Sequence, residues 1–354
     1  MNHLKQIAAK LPEYHIDAML VSSEPGEFYA VDLHGEGYVL VTPDECLYLT
    51  DSRYIEAAQA GVTGAKVVMV DSGRNYTRFL NRFIDSHGIQ KLGIEDTYMS
   101  LGQYNKLKEE LHAQLVCAGG LIPGLRSSKD QEELARMVEA QRITDEAFAA
   151  MLDYIKPGLT ETQIAARLVY EMMSRGANQL SFDPIVASGP NGSKPHAIPG
   201  ARQVQRGDFI TMDFGCKYLG YCSDMTRTIA LGEVSREQRL VYDTVLEAQR
   251  AAIAVSKAGV PGKTIHETAA AVIAAAGYGE YFGHGYGHSC GIEIHEGPFA
   301  NSRDETPMPV GAMVSAEPGI YLPGRFGVRI EDMIRMEEGG CLDITRSPKE
   351  LILL

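Results

Sequence analysis

Four carboxylates and a run of histidines sit where a soluble chain has little reason to put them. Asp213 interrupts the apolar run Phe209-Ile210-Thr211-Met212-Asp213-Phe214, and Asp224 comes a few residues later in Tyr221-Cys222-Ser223-Asp224. Glu317 ends the stretch Val314-Ser315-Ala316 just before Pro318-Gly319, and Glu331 comes after Val328-Arg329-Ile330. Taken singly, each acid reads equally well as a strand-end cap or one half of a surface ion pair. Together they read differently, because a carboxylate among apolar strand neighbours is expensive to bury alone. Two side by side repel unless a cation lies between them. His284, His288 and His295 occupy one segment threaded by Gly283, Gly285, Gly287 and Gly291. The four-residue spacing of the first two would suit a metal site on a helix, but those glycines argue against a helix and for close backbone approach. Four carboxylates and one imidazole suit a pair of divalent first-row cations. Oxygen-rich ligation makes Mn(II) the first expectation, with Co(II), Zn(II) or Fe(II) able to occupy the same donors.

The elements that must hold these groups are legible in outline. Residues 1–122 alternate short apolar runs with helical stretches. Asp17–Val21, Gly37–Val41, Cys46–Thr50, Ala65–Val70 and Lys91–Ile94 read as strands, the second and third as a hairpin around Thr42-Pro43-Asp44-Glu45. His3 to Tyr14 reads as a short helix. This predicts a small α/β domain. Gly119-Gly120-Leu121-Ile122-Pro123-Gly124 reads as punctuation, with Ser127-Ser128 as the cap of a long helix from about Asp130 to Ile155. Residues 123–354 then form the second domain. Within it, Thr160 with Gln163 and Thr264 with Glu267 share capping-box spacing, each after a Pro-Gly turn and a long helix. Two facing α-α-β halves around a cleft would give this pattern, although capped helices after Pro-Gly turns also recur without duplication.

Composition narrows the function classes. The net charge of −13 argues against a nucleic-acid partner, since neutralising phosphates takes a basic surface. No apolar run approaches the roughly 18–20 residues of a membrane span, and the opening residues lack the apolar stretch of a signal peptide. Cys46, Cys117, Cys216, Cys222, Cys290 and Cys341 form no C-x-x-C pair. These readings predict free thiols and a cytoplasmic protein bound to no membrane.

In their order and context, the four acidic and histidine segments resemble those of the pita-bread metallopeptidases, the family of methionine aminopeptidase, prolidase and aminopeptidase P. The resemblance implies an α/β N-terminal domain like that of creatinase and prolidase, then an α+β pita-bread catalytic domain with pseudo-twofold duplication. It implies two metal ions held by Asp213, Asp224, His288, Glu317 and Glu331, with Asp224 and Glu331 bridging. Ser188-Gly189-Pro190-Asn191-Gly192-Ser193-Lys194-Pro195-His196, the further histidines His284 and His295, and Asp51-Ser52-Arg53-Tyr54 are similar to motifs of the proline-specific branch. The implied activity is hydrolysis of the bond between an N-terminal residue and a penultimate proline, by an aminopeptidase P or a prolidase that is a homodimer. Within it, Glu317 is expected to relay a proton and His196 and His295 to donate hydrogen bonds to the substrate. His284 and Tyr321 are expected to shape the proline pocket. Arg329 would orient Asp224 or Glu331, a plain salt bridge being the competing reading. Arg303 would meet a dipeptide's carboxylate or remain a solvated loop charge. A creatinase-like or ectoine-hydrolase-like enzyme, or a non-enzymatic binding protein on the same fold, are the alternatives.

Overall fold

A computed structural model describes residues 2–70, 73 and 75–354. The chain divides into two compact units, Met1–Arg126 and Ser127–Leu354.

In the first unit, six strands form one mixed sheet in the order Lys66–Met69, Cys46–Thr50, Gly37–Val41, Ala18–Val21, Lys91–Ile94, Gln114–Cys117. The expected hairpin is present, with Val41 opposite Cys46 across the Thr42–Glu45 turn. Leu20, Leu40, Leu49, Leu92 and Ile94 are fully buried and pack with Leu80 and Ile84 of helix Tyr76–His87. The chain's first helix is shorter than expected. Leu4–Lys10 is α-helical and Leu11–Tyr14 tightens to a 3-10 turn around Pro12, which has no N–H to give. The Gly-Gly-Leu-Ile-Pro-Gly stretch also differs from its reading as punctuation. Leu121–Arg126 is a helix, because Pro123 falls in its first turn, where a missing N–H costs nothing.

The second unit repeats a pattern. Helices Gln131–Tyr154 and Glu161–Ser174 back onto a three-stranded antiparallel sheet ordered Met225–Ala230, Phe209–Phe214, Ile185–Ser188. Helices Arg236–Val255 and Gly262–Ala275 back onto a five-stranded sheet. Its order is Glu296–Ala300, Gly287–Ser289, Met313–Ala316, Asp332–Met336, Cys341–Asp343. Each half has its own core. Met151, Leu168, Met212 and Ile229 belong to one, and Val245, Ile265, Val314 and Ile334 to the other. The long helix of the first half is capped by Asp130, not by Ser127 or Ser128, in a reciprocal box with Glu133. Thr160 and Gln163 form the expected box on the next helix. Thr264 and Glu267 do not. That helix starts earlier, at Gly262 behind Pro261, where a side chain at residue 262 would lie 1.9 Å from the Phe299 carbonyl oxygen. Only glycine allows the backbones to meet there, and the meeting fixes the start of the helix. No helix among the described residues is long and apolar enough to cross a membrane.

Candidate metal and substrate site

Strand Phe209–Phe214 lies mid-sheet, between Ile185–Ser188 and Met225–Ala230, and is buried along its length. Asp213 is its exception, set opposite Thr226. Beyond it, Cys216–Tyr218 and Tyr221–Cys222 make a tight hairpin, with Leu219 and Gly220 both at positive φ. The return path brings Asp224 back to the start of strand Met225–Ala230. The Cys222 N–H donates to the Gly291 carbonyl, tying this hairpin to the histidine segment. On the facing sheet, His288 lies in strand Gly287–Ser289, and Glu317 comes directly after strand Met313–Ala316. A side chain at residue 287 would stand 1.9 Å from the Ser315 carbonyl oxygen, so glycine permits the close pairing that sets His288 beside Glu317. Glu331 lies between strands Phe326–Arg329 and Asp332–Met336, and its N–H donates to the Thr226 carbonyl across the cleft.

Five segments thus converge at one place. His288 Nε2 is 3.3 Å from Glu317 Oε1 and 3.7 Å from Asp224 Oδ2. Asp224, His288 and Glu331 bring ligand atoms within 4.8 Å of one another. His288 Nδ1 faces the Ser289 carbonyl at 3.2 Å and must carry the proton there, which leaves the Nε2 lone pair pointing at the acids. Ser315 Oγ donates to Glu317 Oε1, and Thr226 Oγ1 donates to Glu331 Oε2. Three acid oxygens have no such partner: Asp213 Oδ1, Asp224 Oδ1 and Glu331 Oε1 are buried without a hydrogen bond. Buried polar atoms are ordinarily satisfied.

The electrostatics match that geometry. Burial, and then the charges of Glu331 and Asp213, push the Asp224 carboxyl well above the usual range. Burial, and then Glu317 and Asp213, do the same to Glu331. Burial pushes Glu317 up to about 7, with Arg329 opposing and Asp213 adding to the rise. Burial also lowers His288, holding the imidazole neutral. Acids this close take up protons unless a cation neutralises them. Hard oxygen donors, one neutral imidazole and three unsatisfied buried carboxylate oxygens fit divalent cations.

Around this cage lies a cavity of about 680 Å³. His196, His284, His288, His295, Tyr321 and Arg329 all line it, as do Asp213, Asp224, Glu317 and Glu331. His196 is exposed in the loop after the turn Gly189–Ser193. The His295 ring stands edge-on to His288, with centroids 4.3 Å apart. Tyr321, held near 12 by burial, keeps its proton and donates it to His284 Nε2 at 2.9 Å. His284 Nδ1 then donates to the Gly285 carbonyl at 2.7 Å. Both ring nitrogens are therefore committed, and burial with nearby Arg329 lowers His284 to about 4. His284 is a neutral wall, not a proton donor to substrate. Arg329 is buried and pairs with Asp213 Oδ2 at 2.5 Å, not with Asp224 or Glu331. Its Nη1 donates to the Tyr321 hydroxyl and its Nε to Thr226 Oγ1. Strand alternation had placed Arg329 and Glu331 on one face, but strand pairing ends at Arg329 and Glu331 lies beyond it. Arg303 is exposed and is not among the residues lining the cavity.

Three supporting side chains went unnoticed in the sequence. Thr226 pairs directly with Asp213 and could have been found from its spacing to Asp224. Ser315 stands two residues before Glu317 and was findable in the same way. Lys129 gave no signal. It is buried against Glu296 at 2.7 Å and donates to Ser289 Oγ beside His288.

The sequence model for "Metallopeptidase family M24" matches residues 135–338, and that for "Creatinase/Prolidase N-terminal domain" matches residues 3–128. An Xaa-Pro dipeptidase of Pyrococcus horikoshii is 34% identical over 354 residues, covering 99% of this chain and 98% of its own. Among solved structures, an Xaa-Pro dipeptidase from Bacillus anthracis superposes with a TM-score of 0.95 at 39% identity, covering 99% of both chains. An X-Pro aminopeptidase from Thermotoga maritima MSB8 superposes with a TM-score of 0.92 at 34% identity, covering 98% of this chain and all of its own.

Proposed function

The chain belongs to metallopeptidase family M24, and we propose that it hydrolyses the peptide bond between an N-terminal residue and a penultimate proline. The observation that carries this reading is the convergence of Asp213, Asp224, His288, Glu317 and Glu331, with three unsatisfied buried oxygens, on the floor of a cavity walled by the neutral His284–Tyr321 pair. Those five residues would hold two divalent cations, Mn(II) by preference for the oxygen-rich set. Bound there, the cations supply an activated water and a Lewis acid for the scissile carbonyl.

The chain's own groups account for the rest. Glu317 Oε1, close to the His288 ring and fixed by Ser315, accepts the proton of the attacking water and returns it to the leaving proline nitrogen. His196 and His295, exposed to the cavity, donate hydrogen bonds to the substrate carbonyl as charge develops on its oxygen. Arg329 holds Asp213 in one orientation while its other nitrogens hold Tyr321 and Thr226, so one guanidinium couples the metal cage to the pocket wall. Tyr321 and His284 present ring surface to the proline, whose nitrogen has no N–H for a site to pair. We further infer a homodimer, supported by the family resemblance, and a cytoplasmic location, supported by the six free cysteines; light scattering on the purified protein checks the dimer.

The test is elemental analysis with an Xaa-Pro cleavage assay on wild type and Asp224→Ala. About two cations per chain and a loss of activity of roughly 10³-fold or more in the variant are expected. Near-wild-type cleavage by the variant in chelator would refute the two-metal mechanism.

A further inference from the structure

The walls around the scissile bond bear on whether a substrate ends at proline or continues beyond it. In a dipeptide the residue after the cut is the last one. Its α-carboxylate then sits about 3–4 Å from the reacting carbon and enters the same cavity. An anion there is held best by a cation or a fork of donors. Among the described residues lining the cavity, the one lysine or arginine is Arg329. It is 4% exposed, and its guanidinium already donates to Asp213, the Tyr321 hydroxyl, the Pro195 carbonyl and Thr226. The adjoining cavity, which shares His196, His284 and Tyr321 with the first, adds Glu280 and, among the described residues, no lysine or arginine.

Position 299 is the telling one. Strand Glu296–Ala300 pairs antiparallel with strand Gly287–Ser289 and sets Phe299 directly opposite His288. Directly paired residues share a sheet face, with Cβ atoms about 5 Å apart. The side chain at 299 therefore stands beside the metal-facing imidazole, and it lines the cavity. It is a phenyl ring, 39% exposed. Phe182 and Ile198 continue the apolar surface, Ile198 at 89% exposure. An exposed apolar wall beside the reacting centre favours a continuing peptide chain over a terminal carboxylate.

Resting on the proline-specific reading above, we propose that the substrates are tripeptides and longer peptides with proline second, and that Phe299 is a specificity residue disfavouring Xaa-Pro dipeptides. The solved relatives carry both dipeptidase and aminopeptidase in their names, so those names do not decide it.

The experiment compares kcat/KM of the Mn(II)-loaded wild type on Ala-Pro, Ala-Pro-NH2 and Ala-Pro-Ala. Amidation removes the terminal charge and almost nothing else. Ala-Pro-NH2 and Ala-Pro-Ala are expected to be cleaved at least about tenfold better than Ala-Pro, the scale of one unpaired charge. Phe299→Arg should raise the ratio of kcat/KM on Ala-Pro to that on Ala-Pro-NH2 severalfold. Ala-Pro cleaved as well as its amide by wild type overturns the proposal while leaving the proline-specific reading intact. That result needs no variant to fold. A folded Phe299→Arg protein with an unchanged Ala-Pro to Ala-Pro-NH2 ratio overturns the assignment to position 299. If the loaded enzyme cleaves none of the three, the proline-specific reading fails and this one falls with it.

Discussion

Asp224→Asn should make the metal-free protein more stable and the metal-loaded protein less so. The carboxylates of Asp224 and Glu331 have ligand atoms within 4.8 Å of each other. At an effective dielectric of about 20, two full charges at that separation repel by about 3.5 kcal/mol. The wild type escapes part of this by taking up protons, since burial and mutual repulsion hold both acids well above their usual range. Protonation of a group raised in the folded state stabilises it at low pH, and that stabilisation is lost as pH rises through the folded pKa. Metal-free wild type should therefore weaken from mildly acidic to alkaline pH. In the variant an amide replaces a charge, and its N–H groups face acids that can accept them. At pH 8 a gain of about 1–3 kcal/mol is left, or roughly 2–12 °C in Tm for a unit of this size.

Metal reverses the sign. A cation present at about a thousandfold excess over its Kd stabilises wild type by about 4 kcal/mol, and the variant, short of an anionic ligand oxygen, should forfeit most of that. The assay is thermal unfolding monitored by circular dichroism, in chelator and in Mn(II), from pH 5 to pH 8. The reasoning is refuted if Asp224→Asn lowers Tm in chelator at pH 8, or if its Mn(II)-induced shift equals that of wild type.

Lys129→Met should cost on the order of 1–3 kcal/mol by removing the buried charge-assisted bond to Glu296, and should weaken metal binding through Ser289 beside His288. In denaturant melts the double variant Lys129→Met/Glu296→Met should recover much of the stability; a strictly additive loss would show that the pair does not act as one. In the first unit, Glu27 is buried against the Tyr48 hydroxyl, and burial pushes its pKa up to about 7 despite that hydrogen bond. Its folded pKa lies above the unfolded 4.5, so its contribution is fully present below pH 4.5 and lost as pH rises through 7, about 3 kcal/mol in all. Hydrogen exchange of helix Glu24–Val31 should accelerate between pH 5 and pH 8 beyond the intrinsic chemical rate in wild type but not in Glu27→Gln; equal profiles would remove Glu27 as the cause.

Legibility in the sequence tracked the range of the interaction. The hairpin of Gly37–Val41 and Cys46–Thr50 was legible because its signal, two β-rich runs around Pro-Asp, is contained in about a dozen neighbouring residues. The Thr160–Gln163 box was legible for the same reason. The Thr264–Glu267 box has the same local pattern and fails, because the start of that helix is set by a contact between Gly262 and the distant Phe299 carbonyl. Asp213, Asp224, His288, Glu317 and Glu331 could be picked out because each is costly where it stands, and cost is a local property. That they meet was inferred from the order of their motifs; spacing alone could not give it.

The partners of Arg329 mark where that kind of inference stops. Its spacing to Glu331 suggested a shared face, and the suggestion would have held had the strand continued. The backbone instead leaves strand pairing after Arg329, and the Glu331 N–H turns to the Thr226 carbonyl on the opposite sheet. The guanidinium is left aimed at Asp213, more than a hundred residues away. The same departure aims one Glu331 oxygen at Thr226 and leaves the other buried and unsatisfied among the acids. A break in one ladder, invisible to any short window, thus decides both which acid the arginine steadies and which oxygen is free for a cation.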